Sequence, residues 1–286
     1  METITFGTFP QKNESEKRPI EWIVLGIRMQ KALCISKYAL TAMSYCEPKK
    51  SKDDFRNIEW QNSLAREWCN HYFLEKAFSD EDRSILSPKG IDATGFGYGY
   101  LCQDRVFLLT EKGVRKYLQD YEERKADATD YAKKQGAQTT DIDGHTYANW
   151  WILPECVKGD IVNLPSGEQY RGNIYPKAVS PAGEILFSSI NIDHDDYTIR
   201  PCILVDLPKA HDMGYIQFDK LAAQEFEYYK LGFGAIIKLN REKELLYRLD
   251  PRHNVWLEEP GLYAEFMHGN YQAKRIGFDD IFNSDK

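Results

Sequence analysis

Apolar residues recur along this chain with two different periods, and the change of period marks its elements. Residues 20–28 (IEWIVLGIR) and 31–39 (KALCISKYA) are short runs rich in β-branched and aromatic residues, separated only by Met29 and Gln30; the pattern predicts a β-hairpin. Between 62 and 78 the period lengthens. Leu64, Trp68, Tyr72 or Phe73 with Leu74, and Phe78 follow one another at three- and four-residue spacing, as a helix with one buried face requires. Asn62 or Ser63 can cap its start. A second short helix is expected over 78–86 (FSDEDRSIL), where Ser79 precedes three acids that favour the positive end of the helix dipole.

The pattern then alternates. After a loop of glycine and tyrosine at 95–100 (GFGYGY), RVFLLT (105–110) reads as an apolar strand, followed by helices over 111–119 and 126–135, the last stopped by Gly136. From 149 onward short strands dominate: NWWIL (149–153), IYPKAVS (174–180), EILFSSI (184–190) after the turn Pro181–Gly183, and IRPCILVDL (199–207). Beyond Pro208 the organisation is different. A helix over 218–232 and strands at 235–240, 245–250 and 255–259 suggest a small α+β appendage. The chain therefore reads as a mixed α+β domain over 1–210 followed by that appendage over 211–286.

Composition narrows the class. A net charge of −7, with Lys and Arg scattered along the chain, argues against a phosphate-neutralising surface and so against a nucleic-acid partner. No apolar run reaches the roughly 18 residues a membrane span needs, and the first residues (METITFGTFP) lack the pattern of a signal peptide, so the expectation is a cytoplasmic protein without membrane association. The six cysteines, at 34, 46, 69, 102, 156 and 202, form no closely spaced pair, which removes zinc-ribbon and thioredoxin readings and leaves buried free thiols.

Eight segments in order carry a resemblance: FGTFPQ (6–11), IEWIVL (20–25), ALCISKYAL (32–40), FLEKAFSDEDRSIL (73–86), VFLLT (106–110), YAKKQGA (131–137), NWWIL (149–153) and IRPCILVDL (199–207). Together they resemble a bacterial domain family of unknown function. That family is related to the C-type-lectin-like fold shared by formylglycine-generating enzymes and the variable proteins of diversity-generating retroelements. The resemblance implies a C-type-lectin-like body over about 4–208, with the first hairpin and the strand 199–207 in one sheet region. Where the family tends to carry Leu-Arg-Ser-Pro-Gly after its double tryptophan, this chain has Ile152, Leu153, Pro154, Glu155 and Cys156, so no role of that arginine carries over.

Candidate chemistry is sparse. Trp150 and Trp151 are consecutive on an expected strand and must face opposite sides, so core packing is expected of them, against an alternative in which one ring is an exposed ligand platform. Cys156 with His145 is conceivable as a nucleophile and base, and the formylglycine-generating relatives use paired cysteines, a part open here only to Cys156 and Cys202. No catalytic residue is assigned. The acidic turn 191–196 (NIDHDD) offers Asn191, Asp193 and Asp195 as oxygen ligands for calcium, the one cofactor considered. The polar connections 88–104, 138–148, 155–174 and 189–198 carry Tyr98, Tyr100, Tyr147, Tyr170 and Tyr197, side chains that give large contact area at low entropic cost. These are the candidate ligand-binding residues. The resulting expectation is a non-catalytic module that binds a protein or glycan through surface loops. Two alternatives stay open: an enzyme related to formylglycine-generating oxidases, and a structural subunit of a larger assembly contacted through 211–286.

Overall fold

The computed structural model describes residues 2–47, 59–92, 101–154, 161–163, 169–171, 177–186, 194–223, 226–241, 244–252, 255–277 and 281, with residues 161–163, 169–171, 216 and 255 described by their backbone alone. The chain divides into two compact units, residues 1–26 with 32–206, and residues 27–31 with 207–286. Both are mixed α+β, with more strand than helix, and the sheets are open rather than closed into a barrel among the described residues.

The first unit contains two five-stranded sheets. One orders Thr3–Pro10, Lys17–Arg28, Lys31–Ser36, Cys202–Asp206 and Val106–Phe107; the other orders Ile185–Leu186, Lys177–Val179, Trp150–Ile152, Thr198–Ile199 and Thr41–Ala42. The first hairpin and the closing strand thus share a sheet, as the resemblance implies. Two stretches, 31–42 and 198–206, run side by side and pass together from one sheet to the other. The changeover falls at Pro201, which has no N–H to donate to a ladder; its carbonyl instead accepts the Ser36 N–H at 2.9 Å.

Met29 and Gln30 both adopt positive φ, 51° and 57°, the type I′ geometry whose twist matches the flanking strands. The strand Thr3–Pro10 was not legible as a strand in the sequence, because its alternation is interrupted. The register against Lys17–Arg28 shifts between Thr5 and Thr8, and Gly7 lies there with φ +68°. A Cβ on Gly7 would stand 2.6 Å from the Phe78 ring and 2.8 Å from the Ala77 carbonyl. Gly7→Ala is therefore expected to destabilise the first unit by about 2–4 kcal/mol, from a left-handed backbone and an overpacked contact together; a chemical-denaturation midpoint indistinguishable from wild type would disprove it.

The expected helix over 62–78 forms over 64–77. It begins on Ser63, whose hydroxyl accepts the Arg66 N–H at 3.1 Å, and widens to π geometry over Trp68–Phe73. Ser79 and Asp82 close a reciprocal capping box on the next helix, Asp80–Ile85. The helix expected over 126–135 is shorter, Asp130–Lys134. The residues before it are claimed by backbone pairing: Ala128 donates to Thr146 O at 2.9 Å and accepts no helical role until Thr129 caps the turn through Ala132 N–H.

Both tryptophans of the strand Trp150–Ile152 are fully buried, because this strand is the middle one of its sheet and both of its faces are covered. Each indole N–H finds a carbonyl: Trp150 donates to Arg124 O at 2.9 Å and Trp151 to Met43 O at 2.8 Å.

The second unit is built on a five-stranded antiparallel sheet, ordered Val255–Glu258, Leu245–Asp250, Ile236–Asn240, Glu227–Leu231 and Ala273–Ile276. The helix expected over 218–232 does not run through that span: among its described residues Asp219–Ala223 is α-helical, and Glu227–Leu231 is a strand. Tyr228 and Tyr229 favour extended backbone, and pairing on both sides of this strand outweighs the helical tendency of the preceding residues. One face of the sheet packs Leu231, Ile237, Leu239 and Leu246 against Leu262, Tyr263 and Phe266 of the helix Pro260–Met267.

Candidate functional site

A cluster of polar aromatic groups in the first unit is presented by a hairpin, Thr139–Ile142 paired with His145–Ala148. Asp143 and Gly144 turn it, with φ of 52° and 84°. This Asp-Gly turn is a strong local hairpin signal that the sequence carries and that the reading of 138–148 as a loop passed over. The base of the hairpin is fixed to the unit through Ala148, which is buried and donates to Ala126 O at 3.0 Å.

On its second strand, His145 and Tyr147 stack, ring centroids 5.3 Å apart and planes 11° from parallel. Asp127 holds the pair in place. Its Oδ2 lies 2.8 Å from His145 Nδ1, and its Oδ1 accepts the Thr146 N–H at 2.9 Å. The Lys125 ammonium stands over the Tyr147 ring at 5.3 Å, paired in turn with Glu122. Partial burial, with the Asp127 charge adding to it, raises the Tyr147 phenol above its ordinary range, so the hydroxyl stays a neutral donor and acceptor. His145 remains 58% exposed. The arrangement is a rigid patch of aromatic surface with a histidine, a carboxylate and an ammonium at its edge.

A second histidine–tyrosine stack lies nearby in the fold. Gln138, at the start of the hairpin, donates its N–H to Asp196 O at 2.9 Å and so joins the hairpin to the acidic turn. There His194 stacks on Tyr197 at 5.0 Å and 15°, with His194 Nδ1 3.2 Å from Asp196 Oδ1. Tyr197 is only 8% exposed, its other face lying 4.7 Å from Trp151. Burial and the Asp196 charge raise its phenol as well.

Of the residues singled out in the sequence, then, Tyr147 meets solvent and Tyr197 is packed beneath its turn. Tyr170 lies on the strand Gln169–Arg171, opposite Val162, and is described by backbone alone. Tyr98, Tyr100, Asn191 and Asp193 lie outside the described residues, as does Cys156. Asp195 is exposed, and among the described residues no three His, Cys, Asp or Glu side chains gather as a metal site. Cys34, Cys46, Cys69, Cys102 and Cys202 are buried free thiols. Burial pushes Cys202 up to about 12 and raises Cys34 and Cys69 well above the usual thiol range. His145, the base considered for Cys156, is engaged by Asp127. Asp127 carried no signal in the sequence, since its partners His145 and Thr146 lie some twenty residues away, and neither did the placing of Lys125 over Tyr147.

The first unit is accordingly a mixed α+β domain, built on two five-stranded open sheets with smaller hairpins, one of which presents a polar aromatic surface. No helix among the described residues is long and apolar enough to cross a membrane. The chain belongs to the family of the domain of unknown function DUF6273, whose model matches residues 30–207. The matched span includes the whole of the surface just described; the segments 6–11 and 20–25, and everything after 207, lie outside it. No curated protein and no solved structure matches the chain.

Proposed function

We propose that the DUF6273 domain of this protein is a non-catalytic binding module, on a C-type-lectin-like body, that recognises a protein or glycan through the surface around Tyr147. The observation that carries this reading is the His145–Tyr147 stack clamped by Asp127 on a rigid hairpin. Stacked rings offer an apolar face for a sugar ring or a partner side chain, the flanking polar groups offer directional hydrogen bonds, and the ordering cost is met within the fold. Support for the lectin-like body comes from the first hairpin and the closing strand sharing a sheet, beside a second sheet of short strands. The raised, buried thiols weigh against the oxidase alternative, which needs an accessible thiolate. Calcium on Asn191, Asp193 and Asp195 would make recognition sensitive to a chelator.

The test compares glycan-array binding and partner co-purification for wild type, His145→Ala/Tyr147→Ala, Tyr98→Ala/Tyr100→Ala and a chain ending at Pro208. The His145/Tyr147 variant is expected to lose at least about tenfold in affinity, as contact residues at the centre of an interface do, with a melting temperature near wild type. Binding that survives both double variants and disappears on truncation would sink the proposal and favour a contact through the second unit.

A further inference from the structure

The second unit contains a cleft of about 460 Å³, within the usual range of small-molecule sites, lined by Leu207, Pro208, Ala222 and Ala223 from its helical segments and by Tyr228, Lys238 and Trp256 from its sheet. The position of Lys238 is unusual. It lies on Ile236–Asn240, the middle strand of the five, directly paired with Tyr228 on one side and Tyr247 on the other. Residues paired across antiparallel strands share a face, as do residues two apart on one strand. By that register Lys238 shares its face with Ile236, Leu249, Trp256 and Ile276, all packed in one apolar cluster with Tyr228. A lysine therefore occupies the centre of an apolar sheet face, where a leucine or methionine would serve folding better.

Its surroundings hold the side chain without neutralising it. The Lys238 Nζ lies 4.7 Å from the Phe226 ring centroid, 4.8 Å from that of Tyr247 and 4.9 Å from that of Trp256. Ring faces favour an ammonium. Burial opposes it and draws the group down to about 8. Among the described residues no carboxylate pairs with Lys238. The cleft's acids are Asp212, which is exposed, and Asp219, which is engaged by His211 Nδ1 at 2.9 Å. A half-buried cation with three rings at its flanks and, among the described residues, no paired carboxylate is electrostatically incomplete, and its open side is the cleft.

We propose that this cleft binds a small apolar carboxylate, whose charged head pairs with the Lys238 ammonium while its body lies against Trp256, Phe226 and the helical wall. The choice of an anion follows from the cage: its cation position is already filled by Lys238, so a cationic ligand would meet like charge. The choice of an apolar body follows from the lining. Apart from Gln30 and Leu207, the two ends of the matched span, the lining of this site lies outside the family match, and the site shares no residue with the surface around Tyr147.

The experiment uses the full chain and three probes of one shape, 3-phenylpropanoate, 3-phenylpropan-1-ol and 3-phenylpropylamine, titrated by calorimetry at neutral pH. The acid is expected to bind at least about tenfold more tightly than the alcohol, and the amine more weakly still. Lys238→Met should erase the preference for the acid, while Lys238→Arg should keep it. The pH profile gives a readout that does not depend on a variant folding. Only the protonated amine pairs with the ionised acid, so affinity should be level between about 6, above the acid's own titration, and about 8, and fall by about tenfold per pH unit above that in wild type. The ionisable groups facing Lys238 are Tyr228 and Tyr247 on the flanking strands, Glu258 beyond Tyr247, and His211, Asp212 and Asp219 on the covering segments. Lys238→Arg, whose charge persists throughout, separates them: the fall should vanish in that variant if Lys238 is its origin. Equal binding of acid and alcohol, no binding of any probe at about 10 mM, or a preference retained in Lys238→Met would each overturn the proposal.

Discussion

Trp150→Ala is expected to destabilise the first unit by about 3–5 kcal/mol, the range for truncating a large aromatic in a closed core. The ring is fully buried, so its removal leaves a cavity rather than a dent. It also strips the Arg124 carbonyl of an indole donor at 2.9 Å. A third loss is specific to this fold. The Arg200 guanidinium lies 5.1 Å from the Trp150 ring centroid, is 1% exposed, and among the described residues meets no carboxylate; it is satisfied by the Ser36 carbonyl at 2.9 Å and the Arg124 carbonyl at 3.3 Å. Burial draws Arg200 down to about 10, so the cation depends on that ring face and those carbonyls. Trp150→Phe, which keeps a face but loses the donor, should cost less than the alanine variant. Arg200→Met combined with Trp150→Ala should cost less than the sum of the two, because each loss is partly contained in the other. Urea denaturation followed at the first unit's transition measures all three. A Trp150→Ala protein that melts with wild type would return the tryptophans to the role of ligand platform.

Asp104→Ala should be nearly as damaging, about 3 kcal/mol, the lower end of the range for removing one partner of a buried ion pair, because Arg66 keeps 30% of its side chain exposed. Asp104 is 2% exposed and serves two elements at once. Its Oδ2 accepts the Trp60 indole N–H at 2.7 Å, and both oxygens accept the Arg66 fork, Nε at 2.9 Å and Nη2 at 2.9 Å. The carboxylate thus ties the strand Leu101–Asp104 to the start of the helix at 64 and to the turn before it. Removing it leaves the buried Trp60 indole N–H without its acceptor and takes both carboxylate bonds from the Arg66 guanidinium, which is 30% exposed. Asp104→Asn retains one acceptor and should lose roughly half as much. Arg66→Ala combined with Asp104→Ala should cost less than the sum of the two, since both changes remove the same bonds. If the two single changes were simply additive, the pair would not be the tie described here.

The elements legible in the sequence are those whose signal lies within one turn or one alternation. The hairpin at Met29–Gln30, the helix over 64–77 with its Ser63 cap, the Ser79 capping box and the closing strand all belong to this group, because caps, turn dihedrals and periodicity act between residues a few positions apart. The burial of at least one tryptophan at 150–151 followed from strand geometry alone. That both are buried did not, since it depends on the strand being the middle one of its sheet, a property of partners that lie from residue 41 to residue 198. Thr3–Pro10 hides its alternation behind the bulge at Gly7, and the glycine's reason, Phe78, is some seventy residues away.

The candidate site divides in the same manner. Tyr147 could be named from composition and its place in a polar connection. Its clamp could not, because Asp127 reaches His145 only after the segment before helix Asp130–Lys134 pairs with the hairpin. Tyr197 looked like its neighbours in the loop set, yet Trp151 and His194 enclose it. Lys238 is the sharpest case: in AIIKLN a lysine within an apolar run reads as an ordinary solvent-facing strand position, and only the pairing of the two flanking strands turns that position inward, among three rings and, among the described residues, without a paired carboxylate. Local sequence sets which backbone shapes are cheap; which face of a strand meets water is settled by what packs on it, and that is a property of the assembled sheet.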